Sequence, residues 1–450
     1  MKKCIIIFLV LASSLGFLNA QSNKAEKKPN VLIILTDDQG YYDVAACGAK
    51  DLVTPNMDQL FHDGMKFNFF YANSPVCSPT RASLITGLYP DKAGVPGVIR
   101  THPENSWGYL NPKAVTIADK FKEGGYHTAI IGKWHLGLEK PNIPTMRGFD
   151  FFKGYLGDMM DDYWSHRRHG INYMRHNEQE IDPEGHATDI FTKWAIEYIN
   201  DHAKVEKPFF LYLAYNAPHF PVQPPEDWLE KIKNRDPELS EGRAKLVAFI
   251  EHLDHGIGTV IGALKENGLY ENTVIVFTSD NGGLLRDEAN NGPLRDGKQS
   301  VYEGGLRVPT AIVWKDHIIS SSTTDYKAAT MDLYPTLLDV AGINIKQNID
   351  GRSFLQVLHG EPVSDVDRLL YFTRREGGSR YGGLTIQAVQ LNDWKLLQNS
   401  PFESQELYNL REDPYETFNL IESEPEQYRN LNELMMKQLQ EGGKIPWQKP

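Results

Sequence analysis

Six short polar clusters hold the side chains that could do chemistry. Asp37 and Asp38, with Asp280 and Asn281, offer oxygen donors only. That set suits a hard cation such as Ca²⁺ or Mg²⁺, whereas zinc more often recruits His or Cys. Lys133 and His135 alternate along "GKWHLG", so in an extended segment both face one side and Trp134 faces the other. His219 lies between Pro218 and Pro221, which stiffen its backbone, and Lys298 sits in the glycine-rich "GPLRDGKQSVYEGG". Cys77 opens "CSPTRASLITG", where Ser78 reads as a helix N-cap, Pro79 as the first helical position and Arg81 as a first-turn residue. A thiol there stands at a helix N-terminus beside a guanidinium, which stabilises a developing anion. Each cluster alone has a plain structural reading, because aspartates cap turns and strand ends are generally polar. They gain meaning only if one fold brings them together.

Apolar, β-branched runs end at four of the clusters. "VLIIL" (31–35) stops at Thr36, Asp37 and Asp38; "HTAII" (127–131) stops at "GKWHLG"; "FFLYLAY" (209–215) stops at "NAPH"; "TVIVF" (273–277) stops at "TSDNGG". Continuous runs of this kind suit strands covered on both faces. Helical stretches such as "TIADKFKEGGY" and "ATDIFTKWAIEYINDHA" lie between them. The alternation predicts an α/β domain with a largely parallel sheet, and ligands in such sheets sit beyond the carboxyl ends of the strands. After Pro362 the runs "DRLLYFTRR", "GGLTIQAVQ", "DWKLLQN" and "QELYNL" predict an antiparallel meander, and "EPEQYRNLNELMMKQLQEG" a closing amphipathic helix. The expected organisation is a leader over 1–20, a catalytic domain over 21–360 and a smaller C-terminal subdomain over 361–450, with Gly360 as a helix stop at the boundary.

Export governs the cysteine arithmetic. Lys2 and Lys3, the apolar run "CIIIFLVLASSLGFL" and "LNA" before Gln21 have the layout of a cleaved signal peptide. The run falls short of the roughly 20 apolar residues of a spanning helix. No later segment is apolar enough to span, so the mature protein is expected to be secreted or periplasmic, with no membrane span. Cleavage removes Cys4 and leaves Cys47 and Cys77, for which a single disulfide is one reading. A thiol protease with Cys77 as nucleophile and His219 as base is another, but it leaves the oxygen cluster and both lysines unused. With 450 residues and 41% hydrophobic content, the chain can bury one large core and a smaller one. The net charge of −12, more negative once Lys2 and Lys3 are gone, argues against a nucleic-acid partner. An anionic substrate would need a local basic pocket.

"CSPTR" followed by "ASLITGLYP" resembles the Cys-x-Pro-x-Arg maturation signature of the formylglycine-dependent (type I) sulfatases of the alkaline phosphatase superfamily. "ILTDDQG", "GKWHLG", "NAPHFP", "FTSDNGG", "GPLRDGKQSVYEGGLRVP" and "ELYNLREDPYETFNL" are similar to family segments in the family's order, so the resemblance runs from about Pro29 to Leu420. Two positions depart from the usual pattern. Thr80 stands where Ser is commonest, and Gln390 stands where many members carry Arg.

The resemblance implies an alkaline-phosphatase-like α/β/α sandwich with a large mixed, mostly parallel sheet. A smaller C-terminal α+β domain with a short antiparallel sheet completes it. A formylglycine-generating enzyme would oxidise Cys77 to formylglycine, and Asp37, Asp38, Asp280 and Asn281 with residue 77 would surround Ca²⁺ or Mg²⁺. The hydrated aldehyde would attack sulfur, His219 with Lys298 would protonate the leaving oxygen, and Lys133 and Arg81 would hold the sulfate. His135 would take the proton whose loss lets sulfate leave. Within that family the chain resembles bacterial polysaccharide sulfatases. The expected substrate is a sulfated polysaccharide or oligosaccharide of algal galactan or glycosaminoglycan type. His166, Arg167, Arg168 and His169 would form a sugar subsite, joined by Arg374 and Arg375 from the small domain. The alternatives are a phosphatase or phosphodiesterase of the same fold, which would want a histidine-rich dizinc set, and a glycan binder in which Cys77 stays unmodified.

Overall fold

A computed structural model describes residues 27–363, 367–377 and 383–448. The expected signal peptide, 1–20, lies outside the described residues. The larger sheet contains β1 (Asn30–Thr36), β2 (Met65–Phe67), β3 (His127–Lys133), β4 (Phe151–Tyr155), β5 (Met174–His176), β6 (Gln179–Glu180), β7 (Phe209–Ala214), β8 (Thr273–Ser279), β9 (Thr310–Val313) and β10 (Ser322–Thr324). Their order is β10-β2-β9-β8-β1-β7-β3-β4-β5-β6. The four apolar runs read from the sequence are the four central strands β8, β1, β7 and β3. They run parallel, with Ile33 opposite both Val276 and Tyr212, and Tyr212 opposite Ile130. Their carboxyl ends therefore lie side by side.

Both faces of these strands are buried, which is why their sequences are apolar without alternation. Val31, Ile33 and Leu35 point into one core, beneath α1 (Cys77–Thr86), α2 (Ile117–Glu123) and α5 (Leu333–Val340). Leu32 and Ile34 point into the other, beneath α3 (Ala187–His202) and α4 (Glu241–Glu266). Helix α2 starts at Thr116, whose hydroxyl accepts from the Asp119 amide at 3.1 Å while the Asp119 carboxylate accepts from the Thr116 amide at 2.9 Å.

The sheet is mixed and mostly parallel, as the resemblance implies, although the residue pattern alone did not mark its antiparallel members. Strand β9 runs antiparallel to β8, β2 to β9, β5 to β4 and β6 to β5. Apart from β9 these additions are two or three residues long, as in "MKF", "MRH" and "QE", and so show no periodicity. The second sheet is an antiparallel meander of β11 (Leu369–Glu376), β12 (Leu384–Leu391), β13 (Trp394–Gln398) and β14 (Glu406–Asn409), and α6 (Pro425–Gly442) packs on it through Leu431 and Met435. Its core also takes in Tyr71, Tyr89 and Leu306 from the larger part. Gln390 is buried within β12. Among the described residues no helix is long and apolar enough to cross a membrane.

His186 caps α3 in a way that only a neutral ring permits. Its Nδ1 accepts from the Thr188 amide at 3.2 Å, and its Nε2 meets the Gln223 carbonyl at 3.0 Å, so Nε2 carries the single proton. Burial, reinforced by His252 nearby, lowers its pKa from the ordinary 6.5 to about 4. An unfolded chain therefore binds the extra proton first, and stability falls as pH drops through this window. We expect a loss on the order of 3 kcal/mol between pH 6.5 and 4 from this residue, measured by denaturant unfolding across that range. His186→Asn should flatten that part of the profile.

Candidate active site

At the carboxyl edge of the central strands, β1 delivers Asp37 and Asp38, β8 delivers Asp280 and Asn281, β3 delivers Lys133 and His135, and β7 leads to His219. The loop after β8 returns to place Lys298, whose amide bonds the Gly283 carbonyl at 3.0 Å. Helix α1 brings Cys77 and Arg81 to the same point, and every residue of that helix is buried. Its start differs from the expected one. Val76 is the N-cap and Cys77 the first helical residue, because Ser78 Oγ is used elsewhere, accepting the Ile99 amide at 3.1 Å. The thiol still sits at the positive end of the helix.

The tightest group is Asp37, Asp38, Cys77 and His219, whose ligand atoms all lie within 4.8 Å of one another. Cys77 Sγ is 3.4 Å from Asp37 Oδ1. The other oxygen of Asp37 accepts from Lys133 Nζ at 2.5 Å and lies 3.5 Å from Arg81 Nη2. Asp38 takes three partners: Lys298 Nζ at 2.6 Å, Asn281 Nδ2 at 2.8 Å and His219 Nε2 at 3.5 Å. Asp280 and Asn281 border this group. One oxygen of Asp280 accepts from the Asp38 amide at 3.2 Å, and the other accepts from Arg81 Nε and Nη2 at 2.9 and 2.8 Å.

The titration behaviour follows from this packing. Burial works to raise the Asp37 pKa, but Lys133, His219, Arg81 and Lys298 outweigh it and hold the carboxyl well below its ordinary value. Burial and the charge of Asp37 push Asp280 up to about 7 despite Arg81. Burial and Asp280 raise the Cys77 thiol well above its ordinary value, so the thiolate that a thiol protease needs is disfavoured. Cys47 and Cys77 are both free and buried, which removes the disulfide reading.

The histidines are oriented by backbone carbonyls. His135 Nε2 donates to Ile99 O at 2.8 Å, leaving a buried Nδ1 with no partner, and burial with Lys133 and Arg81 keeps the ring neutral by depressing its pKa. His219 Nδ1 donates to Phe220 O at 2.6 Å, which turns Nε2 toward Asp38. Burial and Lys298 lower the His219 pKa. Burial opposes the charge on Lys298, but Asp38 and its neighbours raise its pKa and keep it a cation.

These residues fit a hard cation. Asn281 Oδ1 is buried with no hydrogen-bond partner, and a buried acceptor of that kind calls for a ligand. The amide nitrogen of Asn281 bonds Asp38, and in the same cluster burial and the charge of Asp37 push Asp280 toward protonation. A second close group, His186, Asp189 and His252, lacks this character because both nitrogens of His186 are already committed.

The residues expected to bind substrate are placed differently. Arg167 forms a two-bond pair with Asp182, and Arg168 bonds Asp161 at 2.6 Å. His166 is buried and bonds Gly185 O, while His169 is exposed with its ring 4.4 Å from that of His102. Arg374 is 3% exposed and engages Glu376 at 2.8 Å. Arg375 bonds Tyr371 Oη and faces a cleft at the base of α6. Sequence reasoning missed Tyr163, whose hydroxyl donates to the carbonyls of Asn216 and His219 at 2.7 and 2.9 Å and so pins the His219 segment. It also missed Ile99, whose amide and carbonyl tie Ser78 to His135. Neither position carries a side-chain motif.

An acid cluster at the edge of a mixed α/β sheet, faced by a buried helix N-terminus and three cations, defines a class of hydrolase. Residues 29–343 match the model of the family "Sulfatase", and residues 296–444 match that of "N-sulphoglucosamine sulphohydrolase, C-terminal". The chain belongs to the sulfatase family and is a sulfuric ester hydrolase. It is 30% identical over 411 residues to N-acetylgalactosamine-6-sulfatase of Mus musculus, covering 86% of this chain and 74% of that one. It is 30% identical over 502 residues to a sulfatase of Formosa agariphila, covering 94% and 90%. Among solved structures, Ps i-CgsB in complex with k-i-k-neocarrahexaose superposes with a TM-score of 0.85 at 31% identity, covering 94% of this chain and 95% of that one.

Arg81 holds Asp37 and Asp280 apart from each other's charge. Arg81→Met leaves buried carboxylates facing no guanidinium and should destabilise the fold by about 3–5 kcal/mol, read as a lower denaturant midpoint. An unchanged midpoint would show that the cluster is balanced some other way.

Proposed function

We propose that the protein hydrolyses sulfate esters on a sulfated polysaccharide or its oligosaccharides, of algal galactan or glycosaminoglycan type, with formylglycine at position 77 and Ca²⁺, or Mg²⁺, in the acid cluster. One observation carries this reading. The residue at the buried N-terminus of α1 abuts Asp37 and Asp38, next to an unpartnered Asn281 Oδ1. Support for the substrate class comes from the relatives, which include an N-acetylgalactosamine-6-sulfatase and a protein solved with a neocarrahexaose. The reading includes cleavage after residue 20, a catalytic unit to residue 360 followed by the 361–450 subdomain, export, and maturation by a formylglycine-generating enzyme.

Asp37, Asp38, Asp280 and Asn281 would hold the cation, which together with formylglycine supplies an oxygen nucleophile and a group able to release sulfate and regenerate itself. The chain's own residues account for the rest. Arg81 and Lys133, both fully buried, neutralise an anion placed at residue 77 in a site otherwise dominated by carboxylates. Lys298 and His219 converge on Asp38 from the outer side, where a leaving oxygen would depart. Because Phe220 O holds Nδ1–H, His219 donates from Nε2 only as an imidazolium, and its lowered pKa makes that imidazolium a strong acid. The open Nδ1 of His135 can accept a proton on the inner side.

The peptide containing Cys77, taken from protein made with a maturation enzyme, should carry the formylglycine mass, and a chelator should abolish turnover of an aryl sulfate until Ca²⁺ is restored. An unmodified thiol in protein that still turns over substrate would sink the mechanism, and a matured chain that binds sulfated glycans without turnover would make it a binder. His219→Ala should lower kcat roughly 10²–10⁴-fold on a sugar sulfate and much less on a nitrophenyl sulfate, whose leaving group needs no proton.

A further inference from the structure

Two clefts meet at the C-terminal end of the described chain. The larger, about 630 Å³, is bounded by Ile99, Arg100, Tyr109, Leu136, Leu138 and Trp447. The smaller, about 240 Å³, lies against the same Trp447 and is walled by Trp107, Arg375, Glu376 and Leu384. The larger volume falls in the range of roughly 300–1,000 Å³ usual for ligand sites.

The larger cleft is joined to the catalytic groups by hydrogen bonds. The amide of Ile99 donates to Ser78 Oγ at 3.1 Å, next to Cys77, and its carbonyl accepts from His135 at 2.8 Å. Leu136 and Gly137, which also line it, directly follow His135. A molecule held by a sulfate at residue 77 would thus have this cleft beside it.

At the far end, the rings of Trp107 and Trp447 stack with centroids 4.9 Å apart and planes 24° from parallel. Both indoles are half-buried and line cleft wall, and Trp107 Nε1 is buried without a partner. The Trp107 side of this platform is braced. The Trp107 amide and carbonyl bond Val98 O and the Gly97 amide at 2.9 and 2.8 Å, and Arg100 ties the loop at Asn105 O to Glu376 of β11 at 2.8 and 2.6 Å. Gly377 lets β11 end directly on the indole, since a Cβ there would stand 2.3 Å from the Trp107 ring. Arg375 keeps a quarter of its side chain exposed in the smaller cleft while bonding Tyr371 Oη at 2.8 Å and Asp91 at 3.3 Å.

Flat, prepositioned indoles with an apolar body and a polar edge suit a ligand that is itself amphipathic and ring-shaped. A sugar ring offers such a face in its C–H bonds, while its hydroxyls reach outward. A guanidinium beside the indoles suits a second sulfate or a carboxylate on that sugar. We infer that Ile99, Trp107 and Trp447 line a saccharide groove that receives the sugar units flanking the sulfated one, so that the C-terminal tail is part of the substrate site. This rests on the sulfated-saccharide reading above and extends it by assigning where the rest of the chain lies.

The test compares matured wild type, Trp447→Ala and Trp447→Phe on three substrates: a small aryl sulfate, a sulfated monosaccharide and a panel of sulfated hexasaccharides. The expected result is a loss in kcat/KM for Trp447→Ala that is roughly ten- to a hundredfold greater on the hexasaccharide than on the aryl sulfate, carried mainly by KM, with Trp447→Phe recovering most of it. Equal losses on all three substrates would mean that Trp447 only supports the fold, and would overturn the groove. So would a wild type that turns over hexasaccharides no better than the monosaccharide. A formylglycine-bearing protein that hydrolyses none of the three would overturn the proposed function itself.

Discussion

Charge neutrality without water is the constraint on which the rest depends. Asp37, Asp38 and Asp280 lie at the ends of two adjacent strands with almost no exposure, and carboxylates in that position survive as anions only when cations stand at bonding distance. Arg81, Lys133 and Lys298 do so, each from a different segment of the chain. The arrangement explains why a helix that begins at the site is buried over its whole length: it must carry a guanidinium into the interior. It also explains why the balance is incomplete. Three cations and a largely neutral His219 leave Asp280 strained and Asn281 Oδ1 without a partner, a deficit suited to one more hard positive charge.

The central architecture was legible because burial on both faces writes itself into sequence. Runs such as "VLIIL" and "TVIVF" have no solvent side, and each stops where the backbone meets the polar edge. The same logic located the polar cluster, since a strand end followed by "DD" or "DN" brings those side chains to the shared edge of the sheet. The peripheral strands escaped notice because two or three residues cannot show a period, and their pairing is set by neighbours distant in sequence. The helix start, expected with Ser78 as cap, was misplaced by two residues for a similar reason. Ser78 has the right side chain for a cap, but tertiary contact with Ile99 claims its hydroxyl.

The substrate side was least legible. Arginines in a loop look available in sequence, yet Arg167, Arg168 and Arg374 each close an ion pair with a nearby carboxylate. The cleft beside Ile99 is instead walled by backbone and aromatic surface, including an indole from the tail, and neither announces itself by residue type. The small sheet supplies more than a lid on the core. Its strand β11 braces the 97–107 loop through Glu376 and Gly377.

The burial of α1 also dictates an order of events. Cys77 is 3% exposed, and the helix it opens is enclosed by the sheet and by α5. No macromolecule can grip a side chain in that position. Any enzymatic change at residue 77 is confined to the interval between emergence of the segment and docking of the helix. If residue 77 is matured as proposed, biogenesis becomes a race between modification and collapse, and a molecule that folds first would be locked in its unmodified form for as long as it stays folded.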